Sequence, residues 1–90
     1  MRYLSKGIKR YLSSDYINIL WSFYDEGYQN VPFDDYQFFK IENNEGLTTL
    51  KMWQEVPQAI KIKSIPTHEE YEIWIINDGN VETMMLSEEY

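Results

Sequence analysis

Residues 71–86, YEIWIINDGNVETMML, carry the clearest structural pattern in the chain. The tetrapeptide Asn77-Asp78-Gly79-Asn80 predicts a tight turn, because Asn, Asp and Gly tolerate the positive φ angles that hairpin turns require. Residues 71–77 and 81–86 on either side are rich in strand-forming side chains. Bulky apolar residues occupy both faces of residues 71–77, which predicts a central strand covered on both sides.

Three further strands are predicted upstream of this hairpin. Residues 36–41 are rich in aromatic side chains, residues 43–46 (NNEG) predict a turn, and residues 47–54 return as the second strand. Residues 59–64 alternate strictly between apolar and polar. This alternation predicts a half-buried strand with Ile60 and Ile62 on one face and Lys61 and Lys63 on a solvated face.

One main helix is predicted over residues 14–26. Ser13 and Ser14 offer an N-cap, and Gly27 suits the residue after the last turn. Four large side chains recur at i, i+3, i+4 and i+7, the spacing of one helix face: Ile17, Leu20, Trp21 and Tyr24. Residues 3–8 are interpreted as a short first strand or an extended arm.

These elements predict an α+β fold with one main helix packed on a five- or six-stranded, mostly antiparallel sheet. At 90 residues the chain is expected to form a single domain over residues 1–90, because two cores would each be too small. We expect no cofactor crevice of the parallel-sheet type, since no βαβ unit is evident.

Four stretches of the chain resemble an uncharacterised family. Residues 73–90 (IWIINDGNVETMMLSEEY) are the most specific, and residues 2–8 (RYLSKGI), Leu20-Trp21 and residues 54–57 (QEVP) also fit. The chain thereby resembles domain-of-unknown-function family 960, found in Gram-positive bacteria, their phages and their mobile elements. The resemblance implies a fold and a genomic setting, and it brings no catalytic residues.

The inventory of reactive side chains argues against an enzyme. The chain has no cysteine, which excludes disulfides, thiol nucleophiles and thiolate metal sites and favours a cytoplasmic setting. His68 is the only histidine, and it is interpreted as a solvated loop residue. The adjacent Asp34 and Asp35 point to opposite faces if they enter a strand, so they cannot easily share a substrate. We therefore expect no catalytic, cofactor-binding or metal site, no signal sequence and no membrane span.

The charge is acidic and unevenly distributed. Fifteen acids against eight lysines and arginines give a net charge of −7. Residues 1–12 carry +4 from Arg2, Lys6, Lys9 and Arg10, and the remaining fifteen acids and four lysines give −11. The acids fall into groups that we take as candidate partner-binding residues: Asp25, Glu26, Asp34, Asp35, Glu69, Glu70, Glu72, Glu82, Glu88 and Glu89.

These groups suggest a protein-binding module that occupies a basic surface on a host protein, in the manner of a nucleic-acid mimic. Together with the family's genomic setting, they suggest a phage or mobile-element inhibitor of a nucleic-acid-processing or defence protein. Direct nucleic-acid binding is not expected from this charge. A charge of −7 also serves simply to keep a small protein soluble.

Two alternatives stay open. The basic N-terminal residues, interleaved with Tyr3 and Tyr11, suit a nucleic-acid-associated accessory factor. The bare edge of the first or last strand suits a self-associating structural protein, for instance a homodimer.

Overall fold

A computed structural model describes residues 1–66 and 70–90 and shows the predicted α+β class. The elements in chain order are β1 (Arg2–Leu4), α1 (Lys6–Tyr11), α2 (Ser14–Glu26), β2 (Tyr36–Asn44), β3 (Leu47–Glu55), β4 (Gln58–Ser64), β5 (Glu72–Asn77), β6 (Glu82–Leu86) and a C-terminal 3-10 turn (Ser87–Glu89). The main helix α2 and the six-stranded, mostly antiparallel sheet confirm the predicted architecture. Within the described ranges, neither helix is long and apolar enough to cross a membrane.

The sheet has the order β1-β6-β5-β2-β3-β4. Both predicted hairpins are present, β2–β3 and β5–β6, and only the β1–β6 pair is parallel. Because β6 pairs with β1 on one side and β5 on the other, the prediction that the last strand could be a bare edge was wrong. The two edges of the sheet are the three-residue β1 and the seven-residue β4.

Helix α2 follows the predicted bounds and covers one face of the sheet. The Ser13 hydroxyl accepts a hydrogen bond from the Tyr16 N–H at its start, and Gly27 ends it with a φ of 63°. Leu20 and Tyr24 are buried as the spacing predicts, with Ile17 and Trp21 packed partly buried against the same core. Phe23 is buried as well.

Residues 6–11 form the helix α1, so the prediction of a strand or arm over residues 3–8 was wrong beyond Leu4. The Ser5 hydroxyl accepts a hydrogen bond from the Ile8 N–H, and this cap starts the helix directly after β1. Ile8 is fully buried. Gly7 lies so close to the C-terminal turn that a Cβ there would meet a Glu89 carboxylate oxygen at 2.5 Å. A short helix was missed because its single buried residue gives no periodicity.

The core lies between the helices and every second residue of the strands. Its sheet side contains eight buried apolar side chains: Phe39, Ile41, Leu50, Met52, Ile73, Ile75, Met84 and Leu86. Two glutamines, Gln37 and Gln54, are buried among them. The alternate residues of the same strands point to the opposite face, away from both helices.

Candidate interaction surface on the open face of the sheet

The face of the sheet opposite the helices carries a continuous row of apolar side chains. Trp53 and Trp74 lie directly opposite Phe38 on the two neighbouring strands. Met85 on β6 and Ile60 on β4 extend this row to either side, so it crosses five strands. Because residues at paired positions share a face, the strand register alone places these side chains next to one another. We call this side of the sheet the open face.

Five rings on the open face form one continuous chain of contacts, and we call them the aromatic strip: Trp53, Phe38, Trp74, Tyr90 and Tyr36. The Phe38 ring lies 5.1 Å from Trp74 and 5.7 Å from Trp53, measured between centroids. Tyr90 folds back over the sheet from the 3-10 turn, with its ring 4.6 Å from Trp74. Its hydroxyl oxygen lies 3.3 Å from that of Tyr36. Such ring contacts hold the side chains in fixed orientations before any partner arrives.

The apolar surface continues onto β4, where the sequence had predicted the opposite orientation. The predicted alternation is present, but Ile60 and Ile62 are 54% and 64% exposed on the open face. Lys61 is paired with the buried Met52 and therefore points to the helix side. There its Nζ atom donates to the Phe23 carbonyl at 2.7 Å and lies 3.6 Å from a Glu26 carboxylate oxygen. The expectation of a solvated lysine face opposite buried isoleucines was wrong.

A physical reason for this orientation is the length of the lysine side chain. The methylene stem of Lys61 can lie over buried apolar surface while its ammonium group reaches a polar partner. The Nζ atom sits 4.0 Å from the centroid of the Phe23 ring, and partial burial lowers the pKa of this lysine. An isoleucine in this position would leave the Phe23 carbonyl without its lysine donor.

The charged residues of the open face are of both signs. Lys51 lies over the Trp53 ring at 4.8 Å, and Lys40 lies 3.5 Å from Glu42 and 3.9 Å from Glu72. Glu55 follows Trp53 on the same side of β3. Lys40 is thus paired with carboxylates, and two lysines against three glutamates leave the face as a whole close to neutral.

Several of the predicted partner-binding acids are engaged within the chain. Asp25 and Glu82 both bind the guanidinium group of Arg2, which raises the Arg2 pKa, chiefly through the hydrogen bonds with Asp25. The Glu89 carboxylate accepts hydrogen bonds from the Ser5 hydroxyl and from the Gly7 and Leu86 N–H groups. These bonds, the one from Ser5 first, lower the pKa of Glu89. Such carboxylates hold elements of the fold together.

The remaining predicted acids among the described residues lie in two places. Asp34 accepts a hydrogen bond from the Asp35 N–H in the loop before β2. Glu70, Glu72 and Glu88 line one cleft of about 450 Å³. No group of three or more His, Asp or Glu side chains in the part of the chain that the structure describes could hold a metal ion. The predicted Glu69 site and His68 lie outside the described residues.

The sequence reasoning did not identify the aromatic strip. The available signal was the pair Phe38-Phe39, which places one ring on each face of β2 and so indicates that both faces are apolar. Trp53 and Trp74 gave the same signal on β3 and β5, but their contact with Phe38 depends on strand order. That order joins β2 to β5 across residues 45–71 of the chain, which a local pattern does not predict.

Comparison with known proteins supports the family resemblance. The family model described as "Staphylococcal protein of unknown function (DUF960)" matches residues 1–89. A similar fold occurs in a solved structure, the crystal structure of a protein of unknown function from Enterococcus faecalis. That chain is 28% identical, with a TM-score of 0.85 over 99% of this chain and 89% of its own length. No curated protein matches.

Proposed function

The chain belongs to this family of staphylococcal proteins of unknown function, and we propose that it is a non-enzymatic protein-binding module that binds its partner through the open face of the sheet. The observation that carries the proposal is the aromatic strip. Five contacting rings, with Met85, Ile60 and Ile62 around them, form an apolar surface that neither helix covers. Surfaces of this kind mark interaction sites in soluble proteins.

The composition of the open face favours a protein over a nucleic acid. Aromatic and methionine side chains are enriched at the centre of protein interfaces, where they fill pockets on the partner. A surface that stacks nucleobases also needs positive charge along the phosphate backbone. Here Lys40 and Lys51 are offset by Glu42, Glu55 and Glu72, and the chain as a whole carries −7.

The partner we propose presents an apolar patch within basic surroundings. The aromatic strip would supply most of the affinity, and the net charge would raise the association rate and orient the encounter. A narrower form of the proposal is an inhibitor of a host nucleic-acid-processing or defence protein, encoded by a phage or mobile element. That form is supported by the acidic charge and by the family's setting, and by no specific contact.

The experiment compares two aromatic substitutions on opposite sides of the molecule. A partner captured from the host by the tagged protein is purified and titrated against the wild type, Trp53→Ala and Tyr11→Ala. Trp53 belongs to the aromatic strip, whereas Tyr11 is an exposed ring on α1 and serves as the matched control. We expect Trp53→Ala to weaken binding about 10- to 100-fold, as truncation of a central aromatic anchor does, and Tyr11→Ala to leave it unchanged.

Equal binding by both variants would remove the open face as the contact surface. Direct binding of single-stranded nucleic acid by the free protein, abolished by Lys6→Glu with Lys9→Glu, would favour the accessory-factor alternative. The observation behind that alternative is the exposure of Lys6, Lys9, Arg10 and Tyr11 along α1.

A further inference from the structure

We infer that the partner contributes an extended segment that pairs antiparallel with the outer edge of β4 and continues the sheet. The inference rests on the proposed function and specifies how the partner reaches the open face. Strand β4 is the last strand of the sheet, with seven residues, and in the described part of the chain it pairs only with β3. A regular edge of this length offers its backbone groups to a further strand.

The hydrogen-bonding pattern identifies which backbone groups are on offer. The Ile65 N–H donates to the Thr48 carbonyl at 3.0 Å, so this pair is a hydrogen-bonded pair of the β3–β4 ladder. Such pairs alternate along an antiparallel ladder, and the register continues without a break through β4. The N–H and C=O groups of Lys61 and Lys63 therefore point to β3, and those of Ile60, Ile62 and Ser64 point outward.

The side chains of β4 argue for a partner other than a second copy of this chain. Lys61 and Lys63 point to the helix side of the strand. Antiparallel self-pairing centred on Lys61, Ile62 or Lys63 would place lysine opposite lysine, which destabilises a strand pair. In a new ladder on this edge, both lysines would occupy non-hydrogen-bonded positions, where opposing side chains are closest. Lys61 already binds the Phe23 carbonyl and Glu26. The exposed Lys63 is therefore the residue that selects an acidic side chain on the partner segment.

The positions between the lysines select apolar side chains. Ile60 and Ile62 lie on the open face, and Ile60 is directly opposite Trp53 of the aromatic strip. A partner residue opposite Ile60 would extend the apolar row from five strands to six. The matching segment therefore has an apolar face continuous with the open face and an acidic residue opposite Lys63, within a partner whose remaining surface is basic.

A cleft beside β4 provides room for the other face of the segment. It measures about 730 Å³ and lies between β4 and the loop that follows α2. Tyr28 and Val31 line its loop side, Ala59 and Lys61 line its strand side, and Glu26, which pairs with Lys61, lies at the end of α2. Side chains of an added strand that point to the helix side would enter this cleft, as alternate side chains do where a peptide extends a sheet.

The test uses a capped, fluorescently labelled peptide of alternating valine and glutamate, equal in length to β4, and measures binding by anisotropy. The first variant is Ile62→Pro, which removes an outward N–H and leaves the ladder to β3 intact. Its matched control, Ile62→Thr, shortens the side chain and keeps the N–H. We expect Ile62→Pro to weaken binding at least about tenfold and Ile62→Thr less than about threefold. Equal affinities in these two variants would overturn strand addition.

Modified peptides repeat the test on the wild type and so do not depend on the folding of a variant. N-methylation of the valines removes the donors that would pair with Ile60 and Ile62, whereas N-methylation of the glutamates removes donors that point away. We expect only the first peptide to lose binding. Loss in both, or in neither, contradicts the proposed pairing.

A charge exchange at Lys63 tests the partner's chemistry. Lys63→Glu should weaken binding of the valine–glutamate peptide about tenfold and strengthen binding of a valine–lysine peptide by a similar factor. If Lys63→Glu does not reverse the preference between the two peptides, the inference of an acidic partner segment is wrong.

The two proposals fail separately. If Trp53→Ala weakens binding to the captured partner but the wild type does not bind the valine–glutamate peptide, strand addition is wrong and the open face remains the contact surface. If Ile62→Pro abolishes capture and Trp53→Ala has no effect, the edge is the site and the open face is not.

Discussion

The two faces of one sheet are built from alternate residues of the same strands, yet they end in different environments. Phe39 on the helix side is 1% exposed, whereas the adjacent Phe38 on the open face is half-buried by Trp53 and Trp74. Both faces are apolar, so the apolar content of a strand does not tell which face is covered. The two faces differ in what covers them. The helices cover one face, whereas on the open face the aromatic rings cover only one another.

The buried polar groups sharpen the contrast between the faces. On the helix side, the Gln54 amide oxygen accepts hydrogen bonds from Gln37 Nε2 at 2.6 Å and from the Asp34 N–H at 2.8 Å. Gln54 Nε2 donates to the carbonyls of Pro32 and Pro57. These four bonds join β3 to β2, to the loop that precedes β2 and to the turn that follows β3. The helix side thus contains the buried polar interactions that connect these elements of the fold.

The largest predicted effect separates the two adjacent phenylalanines. Phe39→Ala should lower the free energy of unfolding by about 3–5 kcal/mol, because it creates a cavity in the core. Phe38→Ala should cost only about 1–2 kcal/mol, because its ring is already partly exposed. Denaturant unfolding followed by circular dichroism measures both, and equal losses would mean that the open face is a second core.

The second prediction concerns Gln54 and is somewhat smaller. Gln54→Ala removes one of the two acceptors of Gln37 Nε2, the acceptor of the Asp34 N–H and the donor to two carbonyls, so we expect a loss of about 2–3 kcal/mol. The matched control is Gln58→Ala at the exposed start of β4, which should change stability by less than about 0.5 kcal/mol. A Gln54→Ala protein as stable as this control would show that the network does not specify the fold.

The main helix and both hairpins were predictable from the sequence because each has a local signal. Ser13 and Gly27 bound a regular apolar spacing, and the turns of both hairpins contain Gly with Asn or Asp. The orientation of β4 was not predictable from its alternation. A period of two separates the two faces of a strand, but it does not predict which face is buried. Here the Lys61 side chain lies against Phe23, and its ammonium group donates to the Phe23 carbonyl.

The candidate site was less predictable than the fold, because its residues meet only through long-range strand order. The acids were grouped by sequence proximity, and adjacency does not tell which of them has a partner. Asp25 and Glu82 are far apart in sequence, yet both bind Arg2. Asp25 lies in the last turn of α2, and Glu82 is the first residue of β6, which runs parallel to β1. Their shared partner therefore depends on the tertiary structure.

The third prediction uses the C-terminal turn, which connects the two sides of the sheet. Glu89 binds Ser5 and Gly7 on the helix side, and the next residue, Tyr90, covers Trp74 on the open face. The folded-state pKa of Glu89 is lowered, so its contribution is present above the unfolded pKa and is lost as pH falls through the folded value. Wild type should therefore have a higher Tm than Glu89→Gln at pH 7, and the difference should close below about pH 4.

The control for this prediction is Glu88→Gln, which alters the neighbouring exposed carboxylate. Its Tm should follow wild type across the pH range. If Glu89→Gln also leaves the Tm at pH 7 unchanged, the contacts to Ser5 and Gly7 do not hold the turn, and another contact must position Tyr90 over the open face.

The smallest effect is expected from charge, in the rate of association with a captured partner. If the open face supplies affinity, acids away from it act only through the long-range field, which is screened over about 8 Å at physiological salt. Glu70→Lys with Glu88→Lys should then slow association a few-fold at low salt, with little change in dissociation rate and no change in circular dichroism. Lys6→Glu with Lys9→Glu should not slow it, because this change adds to the acidic charge that attracts a basic partner. A larger effect of the lysine pair would point to α1 as the contact surface, and a change in dissociation rate from the glutamate pair would mean that these acids touch the partner.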